Sequence, residues 1–195
     1  MKTVIFGGTF NPPHLGHENT VRIVNEALSP DRFLIIPTYI PPHKQMAAGS
    51  PSPLQRLELC HLAFDKFDFA EVSDIELRRQ GPSYTVDTLT EMKKLYPEDD
   101  FYLVIGSDSL LNFRLWVRYR EILGMCTLAV VSREENDLAH LKEAADGLRT
   151  GCGAGIILIG NRPLVLSSSE IRRNNANEAT LSPAVLNYIK EKGLY

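Results

Sequence analysis

A doubly wound parallel α/β sheet is the fold class that this sequence predicts, and three observations carry it. Six short apolar runs rich in β-branched residues recur along the chain, and segments of helical periodicity separate them. The residues able to do chemistry cluster directly after those runs. In an open parallel sheet ligands bind at that position, beyond the carboxyl ends of the strands, where loops lead into helix N-termini.

Taken in order, "TVIF" at Thr3–Phe6 is the first strand, and Val21, Val24 and Leu28 share one face of the helix that follows. "RFLIIP" is the second strand. The stretch "PTYIPPHKQMAAGSPSP" after it is rich in Pro, Gly and Ser and reads as a loop. Leu57, Cys60, Phe64 and Phe67 mark the next helix, "FAEVSDIEL" a third strand, and Val86, Leu89 and Met92 another helix. "FYLVIG" and "TLAVVS" are the fourth and fifth strands. A helix through Leu138, Leu141, Ala145 and Leu148 leads to a sixth, "GIILIG". After the loop "GNRPLVLSSS", the last helix has Ser182 as N-cap, Pro183 at its first position and Gly193 just past its end. No repeat or linker divides the chain. At 195 residues it is expected to form a single domain, 1–195, with one sizeable core.

Composition narrows the function classes. With 44% hydrophobic and 23% charged residues the chain is close to the soluble average, which argues against disorder and fibrous architecture. A formal net charge of −3 offers no global basic field, so extended duplex nucleic acid is not expected as a partner. The apolar runs are too short to span a bilayer, and Met1 leads into a strand rather than a cleavable signal, so no membrane association and a cytoplasmic location are expected. Cys60, Cys126 and Cys152 lack any C-x-x-C spacing and are read as reduced thiols, with Cys60 packing on an apolar helix face.

The segment "GGTFNPPHLGH", Gly7 to His17, follows the first strand. Gly7 and Gly8 allow a sharp turn and close approach of a bulky ligand, and Thr9 adds a hydroxyl donor. A helix expected to start near Gly16 points its free N–H groups and positive dipole end at the turn, which favours a phosphate. A tight strand-to-helix turn with incidental polar residues would look similar. His14 and His17, three apart across the helix start, tip the balance, because both rings can face one anion and donate to phosphoryl oxygens. A metal site would need carboxylate or Cys ligands that the neighbourhood lacks.

This segment resembles the G-G-T-F-D-P-x-H-x-G-H signature of the nucleotidyltransferases that share an H-x-G-H element with class I aminoacyl-tRNA synthetases, with Asn11 where Asp is commoner. "PPHK" at Pro41–Lys44, "GPSYTVDTL" at Gly81–Leu89, "GSDSLLNFRLW" at Gly106–Trp116 and "SSSEIR" at Ser167–Arg172 resemble further motifs of the family, in its order. The resemblance runs nearly end to end, and it is closest to the bacterial branch that adenylylates nicotinate mononucleotide. Where that branch often has Arg-Pro-Gly after the fifth strand, this chain reads "REE", so Arg133 is left out of the site.

The resemblance implies a Rossmann-like nucleotidyltransferase fold and Mg²⁺-dependent transfer of AMP from ATP to nicotinate mononucleotide. It assigns ATP to Gly7, Gly8, Thr9, Phe10, His17, Gly106, Asp108, Ser168, Ser169 and Arg172, with the serines and Arg172 cradling the β- and γ-phosphates. Catalytic charge neutralisation falls to His14, His17, Lys44 and Arg172. Lys44 is implied as the ligand of the mononucleotide phosphate, with His43 assisting or shaping the loop. Trp116 is implied as a stacking face for the pyridine ring, and Tyr84 and Thr85 as backbone N–H donors to its carboxylate. By themselves these residues carry plainer readings: Lys44 as a solvated surface cation, Asp108 as a helix cap, Trp116 as core. Nicotinamide mononucleotide as acceptor, or a non-catalytic nucleotide-binding module on the same fold, are the competing functions. "GPSYTVDTL" and "GSDSLLNFRLW" argue against phosphopantetheine. "TGCGAG" precedes a strand instead of following one, the wrong context for a dinucleotide fingerprint.

Overall fold

The computed structural model describes residues 1–42, 45–46, 49–132, 138–160, 164, 166–173 and 177–195. Six strands, β1 (Lys2–Gly8), β2 (Arg32–Pro37), β3 (Ala70–Val72), β4 (Asp100–Gly106), β5 (Cys126–Val131) and β6 (Ile156–Ile159), form one sheet in the order β3-β2-β1-β4-β5-β6. Every pairing is parallel. This is the doubly wound topology, in which the direction of winding reverses between β1 and β4.

The apolar runs are continuous because both faces of the sheet are covered. Strand periodicity sends Val4, Phe6, Phe33, Ile35 and Val104 to one face, against α1 (Leu15–Leu28), α2 (Pro53–Phe64), α8 (Ser168–Arg173) and α9 (Pro183–Lys192). Ile5, Leu34, Ile36, Leu103 and Ile105 go to the other, against α3 (Ile75–Arg79), α4 (Thr85–Leu95), α5 (Ser107–Leu111), α6 (Tyr119–Met125) and α7 (Leu138–Cys152). Each such side chain, fully buried, contributes about 1.5–3 kcal/mol to folding.

Three local expectations change. "FAEVSDIEL" is a strand only over Ala70–Val72; the Ser73 N–H closes the ladder on the Ile35 carbonyl at 2.9 Å, and Ile75–Arg79 then turns into α3, burying Ile75 and Leu77. Short apolar runs are ambiguous between strand and helix, and the polar pair Ser73-Asp74 breaks this one. Phe67 is buried but lies past the end of α2, and Leu57 is only half-buried, the inward face being Arg56, Leu59, Cys60, Ala63 and Phe64. The α9 boundaries fall where expected, although the Ser182 side chain makes no capping bond.

At the amino ends of the central strands, Asp99 accepts from the Thr3 hydroxyl at 2.6 Å and from Arg32 at 2.7 Å. The Thr3 bond foremost, with the chain's amino group and Arg32 adding to it, holds the Asp99 carboxyl below the usual range. A depressed carboxylate stabilises the fold above its unfolded value near 4, and that contribution disappears as pH falls through the lower, folded value. Asp99→Asn is therefore expected to lower the melting temperature at pH 7 by roughly 2–4 °C, the shift that about 1 kcal/mol produces in a chain of this size. Thermal unfolding at a series of pH values should show the gap closing below about pH 4.

Candidate active site

At the carboxyl ends of β1 and β4, where the winding reverses, a cleft of about 290 Å³ opens. Its lining includes Gly7 and Gly8 at the end of β1, Thr9 and Phe10 after it, His14, Gly16 and His17 at the start of α1, Gly106 at the end of β4, Trp116, and Ser167, Ser168 and Ser169. Four separate sequence segments thus meet in one cavity.

The turn itself is built differently from the expectation. Gly7 and Gly8 belong to β1, and neither adopts a positive φ. The chain bends instead at Phe10, with φ +46°, and at the cis Asn11–Pro12 bond. Gly8 is required for another reason: a β-carbon there would come within 2.9 Å of the Phe10 ring. That ring is buried, packing edge-on to Phe6, His17 and Phe64, so Phe10 supports the site from beneath while touching its floor.

His14 is the N-cap residue of α1 and His17 its third residue. The backbone N–H of His14 donates to His17 Nδ1 at 3.1 Å, which leaves the His17 ring proton on Nε2. The two rings stack with centroids 3.7 Å apart. Gly16 permits this, since a β-carbon there would sit 3.0 Å from His14 Nδ1. The amides of the first turn are less free than expected: Leu15 N–H donates to the Thr180 carbonyl and His17 N–H to the His14 carbonyl. The imidazoles, more than open backbone amides, face the cavity.

At the start of α8 the three serines, Ser167 just before the helix and Ser168 and Ser169 as its first two residues, divide their work. Ser167 Oγ accepts the Glu170 N–H at 3.1 Å, a capping bond; Ser168 Oγ donates to the Pro12 carbonyl at 2.9 Å; Ser169 Oγ accepts from Arg172 at 3.1 Å. Arg172 also donates to the Asn11 carbonyl at 2.6 Å. It does not line the cleft itself, but it ties α8 to the β1 loop.

Asp108 is exposed on the first turn of α5 and is outside the cleft lining, whereas its neighbour Ser109 is inside. The N-cap position belongs to Gly106, so Asp108 does not cap the helix. Trp116 is half-buried against Phe113, ring centroids 5.0 Å apart, and joins the cleft from the side that also packs Tyr84. Tyr84 and Thr85, at the start of α4, are not in the cleft lining. The Tyr84 N–H is taken by the Pro82 carbonyl at 3.0 Å, which removes it as a ligand donor. Thr85, the first residue of α4, retains an amide with no intrahelical acceptor. Lys44, His43 and Arg133 lie outside the described residues.

Two residues escaped the sequence reading. Arg56, fully buried in α2, reaches the loops after both β1 and β2; its place four residues before Cys60, on the apolar face, was the available signal. Tyr195 donates its hydroxyl to Asn11 Oδ1 at 2.6 Å, and burial foremost pushes its phenol up. Nothing in its local sequence announces this contact. Burial also pushes up the Cys60 and Cys126 thiols, the latter to about 12, so both stay protonated packing groups. Among the described residues no group of three or more His, Cys, Asp or Glu side chains could hold a metal, and no helix is long and apolar enough to cross a membrane. A cleft with fixed imidazoles, hydroxyls and a nearby guanidinium suits a polyanion undergoing displacement at phosphorus.

Residues 5–174 match the cytidylyltransferase-like family. A relative from Fusobacterium nucleatum, named "Probable nicotinate-nucleotide adenylyltransferase", is 35% identical over 192 residues, covering 98% of this chain and 96% of its own. Another of the same name, from Geotalea daltonii, is 37% identical over 213 residues, with 100% and 98% covered. Among solved structures, Plasmodium falciparum nicotinic acid mononucleotide adenylyltransferase complexed with NaAD superposes with a TM-score of 0.78 over 100% of this chain and 98% of that one, at 18% identity. That last likeness is one of fold.

Proposed function

This chain belongs to the cytidylyltransferase-like family, and we propose that it is the enzyme which transfers AMP from ATP to nicotinate mononucleotide, giving deamido-NAD and pyrophosphate. The observation that carries the reading is the stacked His14–His17 pair opening onto the cleft where the sheet's winding reverses. Relatives matched along nearly their whole length carry names that point to the same acceptor. In this reading residues 1–195 act as one nucleotidyltransferase domain in the cytoplasm.

The acceptor's phosphate oxygen attacks the α-phosphorus of ATP in line. One P–O bond forms, the α–β bridging P–O bond breaks, and its electron pair leaves with pyrophosphate. The attacking phosphate is already an anion, so no general base is required, and catalysis consists of alignment and charge neutralisation. His17 Nε2–H and the His14 ring face the α-phosphate, while Ser168, Ser169 and Arg172 hold the departing phosphates. Gly106 leaves room for adenosine and Asp108 bonds the ribose. Mg²⁺ would accompany ATP as part of the substrate and would supply further charge neutralisation to the triphosphate.

Pyrophosphate release from ATP and Mg²⁺ with nicotinate mononucleotide, nicotinamide mononucleotide and phosphopantetheine tests this directly. No release with any acceptor would leave a binding module. Within the same reading the two cations divide their labour. Arg172→Ala should weaken ATP by about 10- to 100-fold, the cost of charged hydrogen bonds worth roughly 1.5–3 kcal/mol, with the mononucleotide little affected. Lys44→Ala should do the reverse. Separate binding titrations decide, and equal loss of both ligands in either variant would contradict the division.

A further inference from the structure

Arg56 is among the most buried side chains of the protein, at 1% exposure, and no carboxylate lies within ion-pair distance of it among the described residues. Its partners are neutral and belong to two loops. Nη1 donates to the Thr9 carbonyl at 2.8 Å, in the loop that carries the histidines, and Nη2 to the Tyr39 carbonyl at 2.9 Å, in the loop after β2. The chain of bonds continues: the Tyr39 N–H donates to Ser83 Oγ at 2.8 Å, and the Ser83 N–H to the Ile40 carbonyl at 2.8 Å. Ser83 immediately precedes the Tyr84-Thr85 start of α4. A guanidinium therefore joins the loop assigned to ATP with two of the three segments assigned to the acceptor, Trp116 standing apart.

We propose that Arg56 is a positioning residue which sets the separation of the ATP and acceptor subsites, through Thr9 on one side and Tyr39 and Ser83 on the other. The inference rests on the adenylyl-transfer reading above. Burying a charge with no carboxylate in direct contact is expensive, the buried Glu76 acting on it only from beyond ion-pair distance, and a well-packed apolar side chain would fill the same volume at less cost. What the arginine provides is a planar fork whose two ends grip different loops at once, a span that a lysine ammonium cannot duplicate. Its charge also sits behind the histidine-bearing loop, where it adds to the field felt by a bound polyphosphate. In-line transfer is sensitive to the distance between attacking oxygen and phosphorus, and a misplacement near 1 Å costs about 10²-fold. Loosening this brace should thus slow the chemical step while each substrate still finds its own subsite.

The test compares wild type, Arg56→Lys, Ser83→Ala and the double variant. Each is assayed for kcat, for thermal unfolding, and for separate affinities toward a non-hydrolysable ATP analogue and nicotinate mononucleotide. Arg56→Lys is expected to lose about 10²-fold in kcat with both affinities within about three-fold, and Ser83→Ala about 10-fold. The double variant should be no worse than Arg56→Lys, because both changes cut one path. A folded Arg56→Lys with kcat within three-fold of wild type overturns the proposal, as does a loss confined to ATP affinity or an additive double variant. If Arg56→Lys fails to fold, Ser83→Ala decides alone: a slower kcat at unchanged affinities supports the brace, and an unchanged kcat overturns it. An inactive wild type instead refutes the adenylyl-transfer reading, and the brace with it.

Discussion

His17→Ala is expected to lower kcat by about 10²–10³-fold while leaving ATP affinity within a few-fold. Removing one fixed donor to a developing charge typically costs that much in rate, and because the charge develops in the transition state the loss falls on turnover, not on ground-state binding. The geometry specifies which donor it is. With Nδ1 occupied by the His14 N–H, the ring proton sits on Nε2, and the ring is held between His14 and the edge of Phe10, centroids 3.7 and 5.1 Å away. Such an imidazole is oriented before substrate arrives. Steady-state turnover beside calorimetric ATP binding separates the two effects, and a melting curve controls for the lost contact with His14. A variant that turned over within a few-fold of wild type would reduce His17 to a structural part of the helix start.

Nicotinate mononucleotide should exceed nicotinamide mononucleotide in kcat/KM by about two to three orders of magnitude. A carboxylate accepts every bond that backbone N–H donors offer, whereas a carboxamide must turn its NH₂ toward a donor or leave a buried group unpaired. With the lost charge included, that mismatch costs roughly 2–4 kcal/mol. Because the Tyr84 amide is spent on Pro82 and those of Asp87 and Thr88 on the Tyr84 carbonyl, the donors reduce to the Thr85 and Val86 amides, aided by the positive end of α4, an eleven-residue helix. Trp116→Ala should weaken both acceptors and largely preserve their ratio, since stacking senses the ring more than its substituent. Parallel kinetics at one ATP concentration decide between them. Comparable efficiencies in the wild type would sink the carboxylate pocket, even with adenylyl transfer intact.

The sheet was legible in the sequence because a strand covered on both faces must be apolar throughout, and a crossover helix must carry one apolar stripe. "RFLIIP" and "FYLVIG" could hardly be anything else. "FAEVSDIEL" reads as one strand because its apolar residues suit strand and helix alike, and only the polar pair Ser73-Asp74 marks where β3 ends and α3 begins. The site was legible as a set of segments, since H-x-x-H spacing and post-strand position survive in one dimension. What one dimension hides is mutual geometry. The bend lies at Phe10 rather than at the glycines, the Tyr84 amide is consumed locally, Asp108 is exposed beside the cleft lining rather than in it, and a buried arginine from α2 spans two loops 47 and 17 residues away in the chain. The arginine's span depends on contacts between residues distant in the chain, and the others on backbone geometry that residue type and spacing alone do not encode.

Asn11 sits in the loop between β1 and α1, buried, with its carbonyl held by Arg172 and its side-chain oxygen by the Tyr195 hydroxyl. Asparagine in a bent loop is ordinarily a site of chemical ageing, because the next residue's backbone nitrogen can attack the side-chain amide and close a succinimide on the way to aspartate. Here the next residue is Pro12, whose nitrogen carries no hydrogen to lose. That route to deamidation is closed, so the loop that orients the histidines should keep its neutral amide over the working life of the molecule.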